Sequence, residues 1–201
     1  MSRVLLATRN DGKIRELHRI LAELSIPLEV LGLDGVAAYV PGPETAATFA
    51  ENALAKAREA VAATGLPALA DDSGLSVDAM NGMPGVLSAR WAGRHGDDPA
   101  NLDLVLGQLA DVPDERRGAA FVCAAALVLP DGVETVTHGE WRGELIRAPR
   151  GTNGFGYDPI FVPAGERRTS AELSPEEKDA LSHRGRAFRA LTPALALLVS
   201  G

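Results

Sequence analysis

The chain has 201 residues, 46% of them hydrophobic and 23% charged, with a formal net charge of -7. Such a composition allows a sizeable core and excludes disordered and collagen-like chains. The acidic balance argues against a nucleic-acid surface, and the single cysteine, Cys123, excludes an internal disulfide and argues against a Cys-based zinc site.

The opening apolar run, Val4-Leu5-Leu6, is too short for a signal peptide, and no stretch approaches the roughly 18 apolar residues of a membrane helix. The expectation is a soluble cytoplasmic protein with no membrane partner.

Arg3 to Thr8 reads as a buried strand. After the break Arg9-Asn10-Asp11-Gly12, the apolar residues Ile14, Leu17, Ile20, Leu21 and Leu24 fall at helical spacing, and Pro27 closes that helix. Leu28 to Leu33 is a second strand. Thr48-Phe49-Ala50-Glu51 carries a capping-box pattern that opens an alanine-rich helix ending at Gly65. Pro67 to Asp72 reads as a strand ending in two carboxylates, Ser73 to Gly96 as short strands and loops, and Pro99 to Val112 as a helix. Ala119 to Leu129 and Val133 to Ile146 are long strands joined by Pro130-Asp131-Gly132, where Asp-Gly signals a hairpin. Arg150 to Asp158 is a glycine-dense loop. A short helix follows Ser174-Pro175-Glu176-Glu177, and a last one runs through Phe188, Leu191, Leu195 and Leu198. The pattern predicts an α/β fold with a mixed sheet.

Four places can carry chemistry. Thr8-Arg9-Asn10-Asp11-Gly12-Lys13 joins a strand end to a helix start, where backbone N–H groups and a lysine attract phosphate; an Asn cap on an ordinary helix is the plainer alternative. Glu44 precedes a helix on which Asn52 and Lys56, at i,i+4, share a face; alone, Lys56 reads as surface. Asp71 and Asp72 end a strand and point to opposite faces, so one can reach a site with Ser73 beside it; by itself the segment is a turn. In Gly151-Thr152-Asn153-Gly154-Phe155-Gly156-Tyr157-Asp158-Pro159, the glycines suit a backbone that approaches a flat ligand while Phe155 stacks on it. Of 20 basic residues only Lys13, Lys56 and Lys178 are lysine, which makes them candidates for places that need a compact ammonium, with chance as the plainer alternative.

These segments resemble, in order, the motifs of the inosine/xanthosine triphosphate pyrophosphatase family. They are Thr8-x-Asn10-x-x-Lys13, Thr48-Phe49-x-Glu51-Asn52-Ala53-x-x-Lys56-Ala57, Ala70-Asp71-Asp72-Ser73-Gly74-Leu75, Gly151-Thr152-x-Gly154-Phe155-Gly156-Tyr157-Asp158-Pro159 and Glu176-Glu177-Lys178-x-x-x-Ser182-His183-Arg184-Gly185. All three lysines lie inside them. Arg9 and Trp91 depart from the family pattern, at positions with no catalytic assignment.

The resemblance implies a single domain over residues 1–201, an elongated two-lobed α/β fold around a long mixed β-sheet with flanking helices, its active site in the cleft between lobes. It also implies a homodimer and Mg²⁺-dependent hydrolysis of ITP, dITP and XTP to the monophosphate and pyrophosphate, which keeps deaminated purines out of nucleic acid. Carried onto this chain, Asp72 is the general base and, with Glu44, holds the metal. Thr8, Arg9, Asn10, Asp11, Gly12, Lys13, Lys56 and Ser73 bind substrate, and Asp71 lies behind Asp72. Phe155 stacks on the base, framed by Gly156, Tyr157 and Asp158, while Lys178, His183 and Arg184 donate to the 6-keto oxygen. An enzyme for modified pyrimidine or methylated nucleotides and a non-catalytic nucleotide sensor remain the alternatives.

Overall fold

A computed structural model describes residues 2–24, 26–36 and 39–200. The strands are β1 (Ser2–Leu6), β2 (Leu28–Leu31), β3 (Ala68–Val77), β4 (Gly118–Val128), β5 (Glu134–Leu145) and β6 (Phe161–Pro163). The helices are α1 (Asp11–Glu23), α2 (Phe49–Thr64), α3 (Asp98–Gln108), α4 (Pro175–Leu181), α5 (His183–Ala190) and α6 (Thr192–Ser200). The six strands form one mixed sheet in the order β2-β1-β3-β4-β5-β6. In it β1 runs parallel to β2 and β3, and β5 antiparallel to β6.

The chain divides into two compact units. The first comprises Met1–Asp72, Cys123–Gly139 and Arg184–Gly201; the second comprises Ser73–Val122 and Glu140–His183.

In the first unit, strand alternation sorts apolar side chains into two clusters. Val4, Leu6, Leu69, Cys123, Ala125 and Leu127 join Leu17, Ile20 and Leu21 of α1 with Ala187, Phe188, Leu191 and Leu195 of the C-terminal segment. Their strand neighbours Leu5, Ala7, Ala68, Ala70, Ala124, Ala126 and Val128 join Ala53, Ala57 and Ala60 of α2. The alanine-rich face of α2 thus lets that helix approach the sheet closely, and the Thr48 side chain caps it by accepting from the Glu51 N–H.

The second unit gathers Leu75 and Val77 of β3, Leu102 and Val105 of α3, Phe121, Trp141, Tyr157 and Phe161 into a core. Phe161 meets Phe121 and Trp141 edge-on, at centroid distances of 4.7 and 5.5 Å.

Two expectations are revised and one strand is new. β3 continues through Ser73 to Val77, because Leu75 and Val77 are needed in the second core and the Leu75 N–H donates to the Ser88 hydroxyl. The C-terminal apolar pattern is two helices, with Pro193 in the first turn of α6, where a missing N–H costs nothing. β6, only three residues long and ending in Pro163, was not anticipated.

The β5–β6 pairing depends on Gly143, where an added Cβ would collide with the Val162 carbonyl and come within 2.7 Å of the Phe161 ring. Gly143→Ala should therefore destabilise the protein by about 1–3 kcal/mol. Urea titration should show a lower midpoint with an unchanged m-value; an unchanged midpoint would mean that β6 moves aside freely.

Candidate active site

At the start of α1, the Asn10 side chain accepts from the Lys13 N–H at 3.0 Å, and the Thr8 hydroxyl accepts from the Asn10 N–H at 3.3 Å. The helix cap of the plainer reading is therefore real. It leaves Arg9, Asn10 and Asp11 exposed at the helix N-terminus, with Arg9 donating to the Tyr39 carbonyl at 3.2 Å.

Lys13 reaches from the first turn of α1 to Asp71, with Nζ 2.9 Å from Oδ2. Arg184 meets the same oxygen through Nε at 3.2 Å and donates through Nη1 to Glu16. Glu16, Asp71 and Arg184 are all nearly inaccessible to solvent. Burial pushes the Asp71 carboxyl up, but Lys13, Arg184 and Lys56 outweigh it and hold this group well below the usual carboxylate range. Burial likewise works against the charge on Arg184, and Glu16 and Asp71 overcome it, so the guanidinium stays protonated.

Asp72, the next residue on β3, faces α2. Its Oδ2 accepts from Asn52 Nδ2 at 3.0 Å, and its Oδ1 lies 3.5 Å from Lys56 Nζ. The same ammonium is 2.8 Å from Glu44 Oε1. Asn52 also accepts from the Ala46 N–H at 3.0 Å, so one buried amide ties the Glu44 segment to Asp72. Burial raises the Asp72 pKa above its ordinary value and Glu44 adds to this, while Lys56 and Lys13 offset part of the rise. The two adjacent acids are thus tuned in opposite directions.

Among the described residues, no cluster of three or more His, Cys, Asp or Glu side chains is placed to hold a metal ion. What the chain does offer is two carboxylates, Glu44 and Asp72, converging on one cationic point. This suits Mg²⁺, which is commonly bound through one or two carboxylates together with substrate phosphates.

In the second unit, the loop carrying Phe155 closes on Asp158. That buried carboxylate accepts from the Phe155 N–H at 2.8 Å, from the Ser170 hydroxyl at 2.8 Å and from Lys178 Nζ at 2.6 Å. Lys178 Nζ also lies 4.8 Å from the centroid of the Phe155 ring. Gly154, at φ +76°, leaves no room for a Cβ against the Asp158 carboxylate, so this glycine serves the loop's own closure and need not face a ligand. The Gly156 N–H donates to Asp98 at 2.8 Å, and the Tyr157 hydroxyl donates to the Ser88 carbonyl at 2.8 Å. His183, also buried, stacks on Phe121 at 4.9 Å between centroids.

The predicted residues therefore assemble in groups. Lys13 joins Asp71 and Arg184; Glu44, Lys56 and Asp72 form a second group; Phe155, Gly156, Tyr157, Asp158 and Lys178 share a loop and its supports. Ser73 follows Asp72 on β3. Glu16, Asn52 and Asp98 went unassigned as functional residues. Glu16 was detectable, because it falls at i+3 from Lys13 and i,i+4 with Ile20, a carboxylate on an otherwise apolar stripe. Asp98 reads in sequence only as an acid in a helix's first turn.

The fold and the site thus define an α/β protein that gathers lysines and carboxylates together at a strand end and a helix start. The sequence model of the Ham1 family matches residues 4–194, and the chain belongs to that family.

It is 63% identical to a Nocardia farcinica protein named dITP/XTP pyrophosphatase, over 98% of this chain and 97% of the relative. It is 62% identical to a Streptomyces coelicolor protein of the same name, over 96% of each. Among solved structures, a Mycobacterium abscessus nucleoside-triphosphatase, dITP/XTP pyrophosphatase, superposes with a TM-score of 0.78 at 61% identity, covering 95% of this chain and 99% of the other. A HAM1 protein from Coxiella burnetii superposes with a TM-score of 0.85 at 43% identity, covering 97% and 98%.

The depressed Asp71 pKa has a stability consequence of definite sign. A carboxylate with a folded pKa below its unfolded value, about 3.9, adds stability that is present above that value and is lost as pH falls towards the folded one. Asp72, with its pKa raised, acts in the opposite sense. In urea titrations stepped downward from about pH 5, wild type should therefore lose stability more steeply than Asp71→Asn. Parallel pH slopes would show that Asp71 is not held ionised by its cations.

Proposed function

We propose that the protein is a nucleoside-triphosphate pyrophosphohydrolase that converts the deaminated purine nucleotides ITP, dITP and XTP to monophosphate and pyrophosphate with Mg²⁺. Acting in the cytoplasm as a homodimer, it would keep these nucleotides out of DNA and RNA. The observation that carries the reading is Asp72: held by Asn52 on one oxygen, facing Lys56 with the other, and sharing that ammonium with Glu44. The names of its close relatives support the same substrate class.

Glu44 and Asp72 would hold Mg²⁺, which when bound supplies positive charge to the phosphate oxygens and the departing pyrophosphate. The chain's own residues do the rest. Lys13, Lys56 and the first turn of α1 gather the triphosphate, giving local positive charge on an acidic protein. Asp72, with its affinity for a proton raised by burial, takes the proton of a water as that oxygen bonds to the α-phosphorus. The bond from the α-phosphorus to the bridging oxygen breaks, and pyrophosphate leaves with that oxygen. Phe155 stacks on the purine. Lys178 and His183 lie on the Phe155 side, in the same unit, and are the donors we assign to the 6-keto oxygen. Arg184 already engages Glu16 and Asp71, so any contact it makes with the base uses its remaining N–H groups.

The test is pyrophosphate release across ITP, dITP, XTP, GTP and ATP, with and without Mg²⁺. Hydrolysis confined to the first three and requiring the metal is expected. Tight ITP binding without release would make the protein a sensor, and preference for a pyrimidine would overturn the substrate class.

Asp72→Asn should keep the fold and bind ITP yet lose about 10²–10⁴-fold in kcat. Retention of more than about a tenth of wild-type kcat would remove Asp72 from the role of base. Lys56→Arg keeps the charge, but a forked planar guanidinium does not fit where one ammonium meets two carboxylates. It should lower kcat/KM on the order of tenfold, and wild-type kinetics would return Lys56 to the solvated surface.

A further inference from the structure

We propose that Asp98, at the start of α3, is a positioning residue for the base-stacking loop and acts through the backbone of Gly156. The proposal rests on the stacking role given to Phe155 above. Asp98 Oδ2 accepts from the Gly156 N–H at 2.8 Å, fifty-eight positions away in the chain. Gly156 stands at φ +62°, directly after Phe155, so the orientation of its peptide plane decides where the ring points. A charged acceptor on that N–H is the stronger kind of hydrogen bond and fixes the plane.

The loop is pinned on both sides of this bond. Asp158 holds the Phe155 N–H, and Tyr157, buried in the second core, donates its hydroxyl to the Ser88 carbonyl. The carboxylate that completes the set is itself rigidly based. Asp97 caps α3 by accepting from the Ala100 N–H, and Leu102, Val105 and Leu109 fix that segment in the core that also contains Tyr157. Asp98 is half-buried and its backbone is helical, so a capped helix presents its carboxylate to the glycine. Of the three pins, this is the one that bonds to the peptide immediately following the stacking ring.

A residue that acts only by placing Phe155 should affect the base and not the phosphates. The test compares Asp98→Ala, Asp98→Asn, Phe155→Ala and the Asp98→Ala/Phe155→Ala double variant. Each is assayed for kcat and KM with ITP and for inhibition by inorganic tripolyphosphate, which has the charge but no base. Asp98→Ala should raise KM for ITP about tenfold with little change in kcat, while tripolyphosphate inhibition stays at the wild-type value. Asp98→Asn keeps an acceptor oxygen at the same reach and should remain within about threefold of wild type. The double variant should be no worse than Phe155→Ala, since both changes remove one function.

An unchanged KM in Asp98→Ala, an equal loss of tripolyphosphate binding, or additive effects in the double variant would each overturn the assignment. If Asp98→Ala folds poorly, Asp98→Ser carries the same test, because its hydroxyl suits a helix's first turn but is too short to reach Gly156. Wild-type KM in Phe155→Ala is a separate outcome: it would overturn the stacking role itself, and this proposal with it.

Discussion

Strand β3 ends the first unit with two carboxylates in a row, and alternation sends them to opposite faces of the sheet. Asp71 follows Leu69 to the side covered by α1 and the C-terminal helices; Asp72 follows Ala68 and Ala70 to the side covered by α2. Everything charged in that unit's core is arranged around this divergence. Lys13 comes from α1 and Arg184 from α5, and they meet Asp71, while Glu16 of α1 meets Arg184 from its other side. Asn52 and Lys56 come from α2, with Glu44 from the segment before it, and they meet Asp72. A slip of one residue in β3 would exchange the two environments as well as invert the apolar pattern.

The two environments differ in electrostatic purpose. Taking a carboxylate out of water costs several kcal/mol unless cations and hydrogen bonds replace the solvent. Around Asp71 the replacement is excessive, with two cations in contact and a third acting at longer range, so the group stays ionised and holds Lys13 in place. Around Asp72 the replacement falls short. Burial exceeds what Lys56 and Lys13 return, and Glu44 adds like charge, leaving an acid with raised affinity for a proton. A group intended to accept a proton, or to welcome further positive charge, needs that shortfall. The Asn52 amide limits the cost by bonding one oxygen without neutralising it.

Much of this was legible in the sequence because the signals were local. The i,i+4 spacing of Asn52 and Lys56, the paired acids at a strand end, the capping residues and the Asp-Gly hairpin each act within a few residues. The continuation of β3 beyond Asp72 was not legible. Asp72-Ser73-Gly74 has the composition of a turn, and only the demand of the second core for Leu75 and Val77 keeps it extended. The glycines around Phe155 stand out in the sequence as room for a flat ligand, but the reason visible at Gly154 is internal, since it makes room for Asp158. Asp98 was hidden for the same reason that it is informative: its partner is a backbone N–H in a distant loop, and backbone groups leave no mark in a sequence.

The choice between lysine and arginine follows from how many acceptors must be served. The deeply buried arginines each face several. Arg117 donates to the carbonyls of Leu109, Leu145 and Ile146, and Arg184 to two different carboxylates, tasks that need a flat, forked donor. The three lysines instead place a compact charge at the junction of a few groups. Lys13 meets Asp71, Lys56 stands between Glu44 and Asp72, and Lys178 meets Asp158 beneath the ring of Phe155. A chain with 17 arginines retains lysine at three positions, and at each the ammonium lies against a carboxylate. At Lys56 the metal role proposed for the two flanking carboxylates would add a further demand: a small ammonium can make room for a second cation, whereas a bidentate guanidinium would occupy both acceptors.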